Sequence, residues 1–240
     1  MSCTPISSTQ IDWSWTNPGG VINFNVYNAT TGVLLASGFI FLAAIVRGYS
    51  GFGFSLLSIT ALSLILTPAQ VIPAIFLLEV AASLHLLPSI WRDVHWGSLS
   101  SLMLGAVIGT PAGVYALANA PQAQMTLALA CFVLLATGLL WRGFSLKNMP
   151  SKTATLAVGT ATGLVNGAFG IGGPPVVLFY FASPAGQAAG RASLIAYFLF
   201  TDVVGLGFLA REGLVTKEAG LLAAVFLPAL VTGIWLGSRS

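Results

Sequence analysis

The stretch "AAIVRGYSGFGFSLLSI" runs from Ala43 to Ile59. Apolar residues flank a centre made of Arg47, Gly48, Gly51 and Gly53. A guanidinium at membrane depth costs at least ~2.5 kcal/mol on insertion scales. Glycine weakens a helix interior by about 1 kcal/mol relative to alanine. Four such residues inside one apolar run predict a membrane helix broken at its middle.

The rest of the chain supports the membrane setting. Its 240 residues are 56% hydrophobic and only 6% charged, with a mean hydropathy of +0.91. A soluble domain carries about a quarter charged residues, so the composition specifies an all-α polytopic membrane protein with the lipid bilayer as its partner. Nine scattered Lys and Arg do not form the basic patch of a nucleic-acid reader, and no nucleic-acid partner is expected. Cys3 and Cys131 have no neighbours suited to a disulfide or a metal site; neither metal nor cofactor is expected. Residues 1–32 lack the basic start and apolar core of a signal peptide. Their Trp13, Trp15, Phe24 and Tyr27 read as an interfacial segment lying on the membrane, or more simply as an ordered tail.

Apolar spans fall at about 33–66, 71–90, 97–118, 124–142, 153–182, 190–210 and 219–238. Most have the ~20 residues that cross a hydrocarbon core. The first and fifth are too long, and each contains a glycine cluster: "RGYSGFGF" at 47–54 and "NGAFGIGG" at 166–173. The clusters superpose without gaps, Gly48, Gly51 and Gly53 falling on Gly167, Gly170 and Gly172 at a shift of 119 residues. That shift also carries Arg92-Asp93 onto Arg211-Glu212. The expected organisation is a tail (1–32), a first repeat (33–142), a basic loop (143–152) and a second repeat (153–240). The fourth span has no counterpart, so an eighth is expected to be missing by truncation.

Each long span is expected to break at its glycines, and its length favours a re-entrant hairpin, which would make the repeats inverted. With the N-terminus outside, Arg92, Arg142, Lys147, Lys152, Arg191 and Arg239 face the cytoplasm and Arg211 and Lys217 do not, as the positive-inside rule asks. If the long spans simply cross, an inside N-terminus places six basic residues inside equally well, and the repeats become parallel.

Non-helical backbone at membrane depth survives where it lines a wet cavity or is covered by protein. Paired broken segments in two halves point to a transporter's substrate site. Helix N-termini at such breaks offer free N–H groups to an anion, and Pro174-Pro175 predicts a half-helix starting at about 174. Arg47 could hold an oxyanion, with Asn166, its counterpart in the second cluster, adding an amide donor. Alternatively, Arg47 pairs with Glu79 or snorkels to an interface. Backbone N–H groups around Gly51–Gly53 and Gly170–Gly173 complete the expected shell, with Tyr49, Phe52 or Phe169 against an organic tail. The expected binding set is thus Arg47, Gly48, Tyr49, Gly51, Phe52, Gly53, Asn166, Phe169, Gly170, Gly172 and Gly173.

Glu79 and Asp202 are intramembrane acids, either proton or ion couplers or counter-ions for Arg47 and Arg191. The ladders Gly105/Gly109/Gly113 and Gly159/Gly163/Gly167 predict close helix packing. Trp91, Trp96, Trp141 and Trp235 fall near span ends, as an aromatic belt requires. An intramembrane hydrolase would need a nucleophile and base within reach, and His85 and His95 sit beside no evident serine or cysteine motif. The chain is therefore read as a non-enzyme.

The paired motifs "GYSGFGF" and "GAFGIGGPP", with "RASLIAYFLFTD" from Arg191 to Asp202, resemble the sulfite exporter TauE/SafE family of permeases. The likeness extends over nearly the whole chain from about Gly32. It implies ATP-independent transport of small sulfur-containing anions, such as sulfite or organosulfonates, in a bacterial inner (plasma) membrane. The first motif lacks the extra glycine of "GIGG" in the second. An anion channel, or a transporter of another small carboxylate or oxyanion, stands as the alternative.

Overall fold

A computed structural model describes residues 29–64, 66–142, 150–182 and 186–239. The expected interfacial tail with Cys3, and all but the end of the expected basic loop, lie outside these residues. The described chain is helical throughout: α1 (Ala29–Ser50), α2 (Phe54–Leu62), α3 (Pro68–Ile90), α4 (Trp96–Asn119), α5 (Gln122–Arg142), α6 (Lys152–Phe169), α7 (Gly173–Ala182), α8 (Gln187–Arg211) and α9 (Lys217–Gly237), with a 3-10 turn at Trp91–Asp93. Five helical segments are long and apolar enough to cross a membrane: Val33–Ser50, Pro68–Asp93, Trp96–Asn119, Ala188–Arg211 and Lys217–Gly237. The protein is an all-α integral membrane protein.

The two overlong apolar segments are split where the glycines stand. α1 closes when the Gly51 N–H donates to the Arg47 carbonyl at 2.8 Å, with Gly51 at φ +82° and Gly53 at φ +91° before α2 begins. α6 closes in the same way, Gly170 donating to the Asn166 carbonyl at 2.8 Å with φ +67°. A side chain in that left-handed region costs roughly 1–2 kcal/mol, which is why both breaks use glycine. α7 then starts at Gly173, one residue before the proline that sequence reading placed at its head. Other starts are capped by side chains. Thr67 and Gln70 form a reciprocal capping box on α3, while Ser151 and Thr216 accept from Ala154 and Ala219 at the heads of α6 and α9.

Small residues decide which helices pair. A Cβ added at Gly105, Gly109 or Gly113 would lie 2.3, 2.0 or 2.1 Å from the carbonyl oxygens of Leu156, Thr160 and Leu164. From the other side, Gly159, Gly163 and Gly167 face the carbonyls of Leu102, Ala106 and Thr110 just as closely. The two predicted ladders are therefore the two halves of one zipper, α4 against α6. A second zipper joins α1 to α9, where a Cβ at Gly48 or Gly237 would meet the Ile234 or Ile45 carbonyl at 2.6 or 2.1 Å. Lipid supplies no hydrophobic drive between helices, so such close backbone approach carries the association. Between these pairs α3 packs against α8, Phe76 lying against Gly205.

The outer surface is apolar. Leu34, Leu42, Leu127, Leu134 and Leu221 are exposed, as lipid-facing residues would be. Trp91, Trp96, Trp141 and Trp235 are exposed too, and Arg239 stacks on Trp235 at 3.9 Å.

Candidate functional site

Both breaks border one small cavity. Phe52, Gly53 and Ser55 line it from the first break, and Ile171, Gly173 and Pro174 from the second. Glu79 of α3 and Phe198 of α8 complete the wall. The cavity thus sits at the heads of α2 and α7, where helix N-termini leave N–H groups uncovered.

Arg47 lies behind the first break, fully buried. Its Nη1 donates to the Gly51 carbonyl at 2.6 Å, and its Nη2 donates to Ser83 Oγ at 2.7 Å. Glu79 Oε2 stands 2.9 Å from the same Nη2, and the guanidinium carbon is 5.0 Å from the centre of the Phe198 ring. Of the alternatives raised by the sequence, the structure has Arg47 paired with Glu79. The acid is equally well dressed: Oε1 accepts from the Ser55 N–H at 3.2 Å and from the Ser55 hydroxyl. Ion pairs this deep survive when further hydrogen bonds support both partners; Ser83 and Gly51 support Arg47 and Ser55 supports Glu79, leaving Arg47 Nε and Glu79 Oε2 without one.

The second break has its own polar pair. Asn166 Nδ2 donates to Asp202 Oδ1 at 3.2 Å, and Asn166 Oδ1 accepts from the Gly172 N–H at 3.0 Å. Asp202 is buried and within electrostatic reach of both Glu79 and Arg47. One guanidinium and two carboxyl groups therefore share the interior.

The predicted binding residues divide. Phe52, Gly53 and Gly173 line the cavity, with Arg47 and Asn166 behind it. Gly172 packs on the Asn166 side chain, Gly51 against Arg191 and Ile195, Gly170 against Ile59 and Ile72, and Gly48 against α9. These four act through close packing. Tyr49 and Phe169 are elsewhere: Tyr49 is exposed, and Phe169 stacks on Phe132 at 5.7 Å. At about 100° per residue, Tyr49 stands on nearly the opposite face of α1 from Arg47. Arg191, expected to face the cytoplasm at the start of its span, is half-buried and donates to the Gly48 carbonyl at 2.6 Å, a cation at the C-terminal end of α1. It makes no ion pair with an acid among the described residues.

Ser55, Ser83, Ile171 and Phe198 were not anticipated. A signal for two of them was present, since the 119-residue shift relates Ser83 to Asp202 and Glu79 to Phe198. The histidines stay outside the site. His85 is exposed, and His95 caps α4 with its Nδ1 2.8 Å from Ser98 Oγ.

The sequence model of the sulfite exporter TauE/SafE family matches residues 36–240, which include both breaks and every residue around the cavity. This chain belongs to the TauE/SafE family. It is 27% identical over 199 residues to a Cupriavidus necator protein described as "Probable sulfite/organosulfonate exporter TauE", covering 79% of this chain and 77% of that one. No solved structure matches the chain. Members of this family are transporters, and this TauE/SafE chain has the apolar helices of a membrane protein and a cavity between two helix breaks.

Proposed function

We propose that this TauE/SafE protein is a secondary transporter of small sulfur-containing anions, such as sulfite or an organosulfonate, in the inner membrane. The cargo binds in the cavity between the breaks. The observation that carries this reading is the position of that cavity at the heads of both half-helices. Arg47 supplies positive charge, Asn166 and the N–H groups near Gly53 and Gly173 supply hydrogen bonds, and Phe52 and Phe198 offer apolar surface. Glu79 and Asp202 are the candidate coupling groups. The name of the Cupriavidus necator relative supports the cargo class.

Two inverted repeats would place the site on a pseudo-symmetry axis, and the contacts support this. At one shift, Arg47–Ser83 answers Asn166–Asp202. Gly51 against Arg191 answers Gly170 against Ile72. α1 pairs with α9 as α6 pairs with α4, while α3 and α8 meet across the centre. Alternating access then follows from movement of one half relative to the other, with α2 and α7 as short returning arms.

The test is thermal stability of purified protein against sulfite, sulfate, several organosulfonates, matching carboxylates and chloride. A ligand at about 100 times its dissociation constant stabilises by about 2.7 kcal/mol. Selective stabilisation by sulfite or a sulfonate, lost in Arg47→Ala, is expected. Stabilisation that survives Arg47→Ala would move the site elsewhere.

A further inference from the structure

The Arg47 cradle already holds an anion, and that anion belongs to the protein. Glu79 receives a guanidinium at 2.9 Å, the Ser55 N–H in the first turn of α2 at 3.2 Å and the Ser55 hydroxyl. Those are the three kinds of donor that an oxyanion would seek there. Glu79 also lines the cavity, so its carboxylate stands where cargo would have to arrive. Its Oε2 faces Arg47 as an ion pair but accepts no well-directed hydrogen bond, which leaves it the oxygen free to take up a proton.

We propose that Glu79 is a built-in competitor for the anion site, and that cargo binding takes up one proton onto its carboxylate. The inference rests on the site proposed above. A cargo anion that takes Arg47 leaves Glu79 without its counter-ion in a buried setting. An isolated buried carboxylate is strongly disfavoured and neutralises instead. The proton comes from the buffer acid in solution, whose conjugate base stays there, and joins the carboxylate oxygen; no bond in the cargo forms or breaks. Arg47 and Glu79 together are neutral before binding; Arg47, protonated Glu79 and a monovalent cargo anion are neutral after it.

The groups around Glu79 keep this arithmetic simple. α1 presents Arg47 and α8 presents Asp202, while α2 offers only the neutral Ser55. α4 contains no charged residue. On α9 the charges are Lys217 and Glu218 in its first turn, on α5 the charge is Arg142 in its last, and the 3-10 turn carries Arg92 and Asp93 in exposed positions. Asp202 engages Asn166 rather than Arg47, so it is the second acid of the interior and not the competitor.

Methanesulfonate is the chosen probe because it stays ionised across the working pH range, so any pH effect belongs to the protein. Its affinity is measured by calorimetry from acid to alkaline pH, in buffers of different ionisation enthalpy that report proton uptake. Wild type should take up close to one proton per anion and lose affinity by about tenfold per pH unit on the alkaline limb, as one linked proton requires. Glu79→Gln should bind more tightly at alkaline pH, on the order of tenfold, with no pH slope and no uptake. Binding by wild type with no slope and no uptake overturns the proposal and needs no variant to do so. Loss of binding in folded Glu79→Gln, or a pH slope that persists in it, overturns it as well. Each of these leaves the Arg47 site standing if Arg47→Ala still abolishes binding. Unchanged binding in Arg47→Ala, or no binding of methanesulfonate or sulfite by wild type, overturns the site itself.

Discussion

Gly109→Ala adds one methyl group at the tightest point of the α4–α6 zipper. The new Cβ would lie 2.0 Å from the Thr160 carbonyl oxygen and 2.8 Å from the Leu164 nitrogen, whereas ordinary contact begins at 3.4 Å. Both obstacles are backbone, so no side chain can swing aside. The helices must part by more than roughly 1 Å, and a gap of that size forfeits a quarter to a half of each dispersion contact it opens. The seam is in register along its length, and Gly105, Gly113, Gly159 and Gly163 lose contact together. Overpacking of this kind costs about 1–3 kcal/mol, and the shared seam argues for the upper end. In a chain of this size that lowers the melting temperature by roughly 5–10 °C. Gly207→Ala on α8 is the control, since nothing lies within 4 Å of its added Cβ. Thermal melts of purified protein in detergent compare the two. A Gly109→Ala protein that melts at or above the Gly207→Ala protein would refute the zipper. The double variant Gly109→Ala/Gly163→Ala should be less than additive, because the first methyl group has already parted the helices.

Two further outcomes follow from the breaks. Arg47→Gln strands Glu79 as an unpaired buried carboxylate and should destabilise by about 3–5 kcal/mol; adding Glu79→Gln should recover most of that loss, and a double variant no more stable than the single one would sink the ion-pair account. Gly51→Ala meets both a left-handed φ of +82° and the Arg191 Cγ at 2.7 Å, whereas Gly53→Ala at φ +91° has its nearest neighbour at 3.3 Å. Both should lose the ~1–2 kcal/mol of the backbone term, but Gly51→Ala should melt measurably lower, and equal melting temperatures would show that Arg191 yields without cost.

Legibility followed the range of the interaction. Breaks at Gly51–Gly53 and Gly170–Gly172 could be read from sequence because glycine is a local requirement of a left-handed turn. The ladders at Gly105–Gly113 and Gly159–Gly167 announced close packing, but not that they pack on each other, since spacing along one helix carries no address. Arg47 demanded a partner by its energy alone. That Glu79, and not lipid headgroups, supplies it depends on how α3 sits against α1. Tyr49 and Phe169 are neighbours of the glycines in sequence only. Neither lines the cavity, because each stands on a face of its helix turned elsewhere. Ser55 and Ser83 carry no local signal, since a serine in an apolar helix commonly bonds its own backbone, as the hydroxyl of Thr60 does to Leu56.

The kinds of contact in the bundle also indicate where it can move. In the α1–α9 and α4–α6 zippers the backbones touch, and any sliding drives carbonyl oxygens into peptide groups. Around the breaks and between α3 and α8 the contacts run through side chains: Phe76 on Gly205, Ile72 on Gly170, Ile195 on Gly51. Side chains can change rotamer where backbones cannot yield, so a motion that opens the cavity should carry each zipper as a unit. Arg191 bridges from α8 to the Gly48 carbonyl at the end of α1, and that bond ties one zipper to the central pair. Charge at the site bears on the same joint. In the proposed binding step, a cargo that draws Arg47 away from Glu79 would also pull on its bond to the Gly51 carbonyl, three residues from Gly48. On the proposed reading, anion binding and movement of the first break would then be linked through the last turn of a single helix.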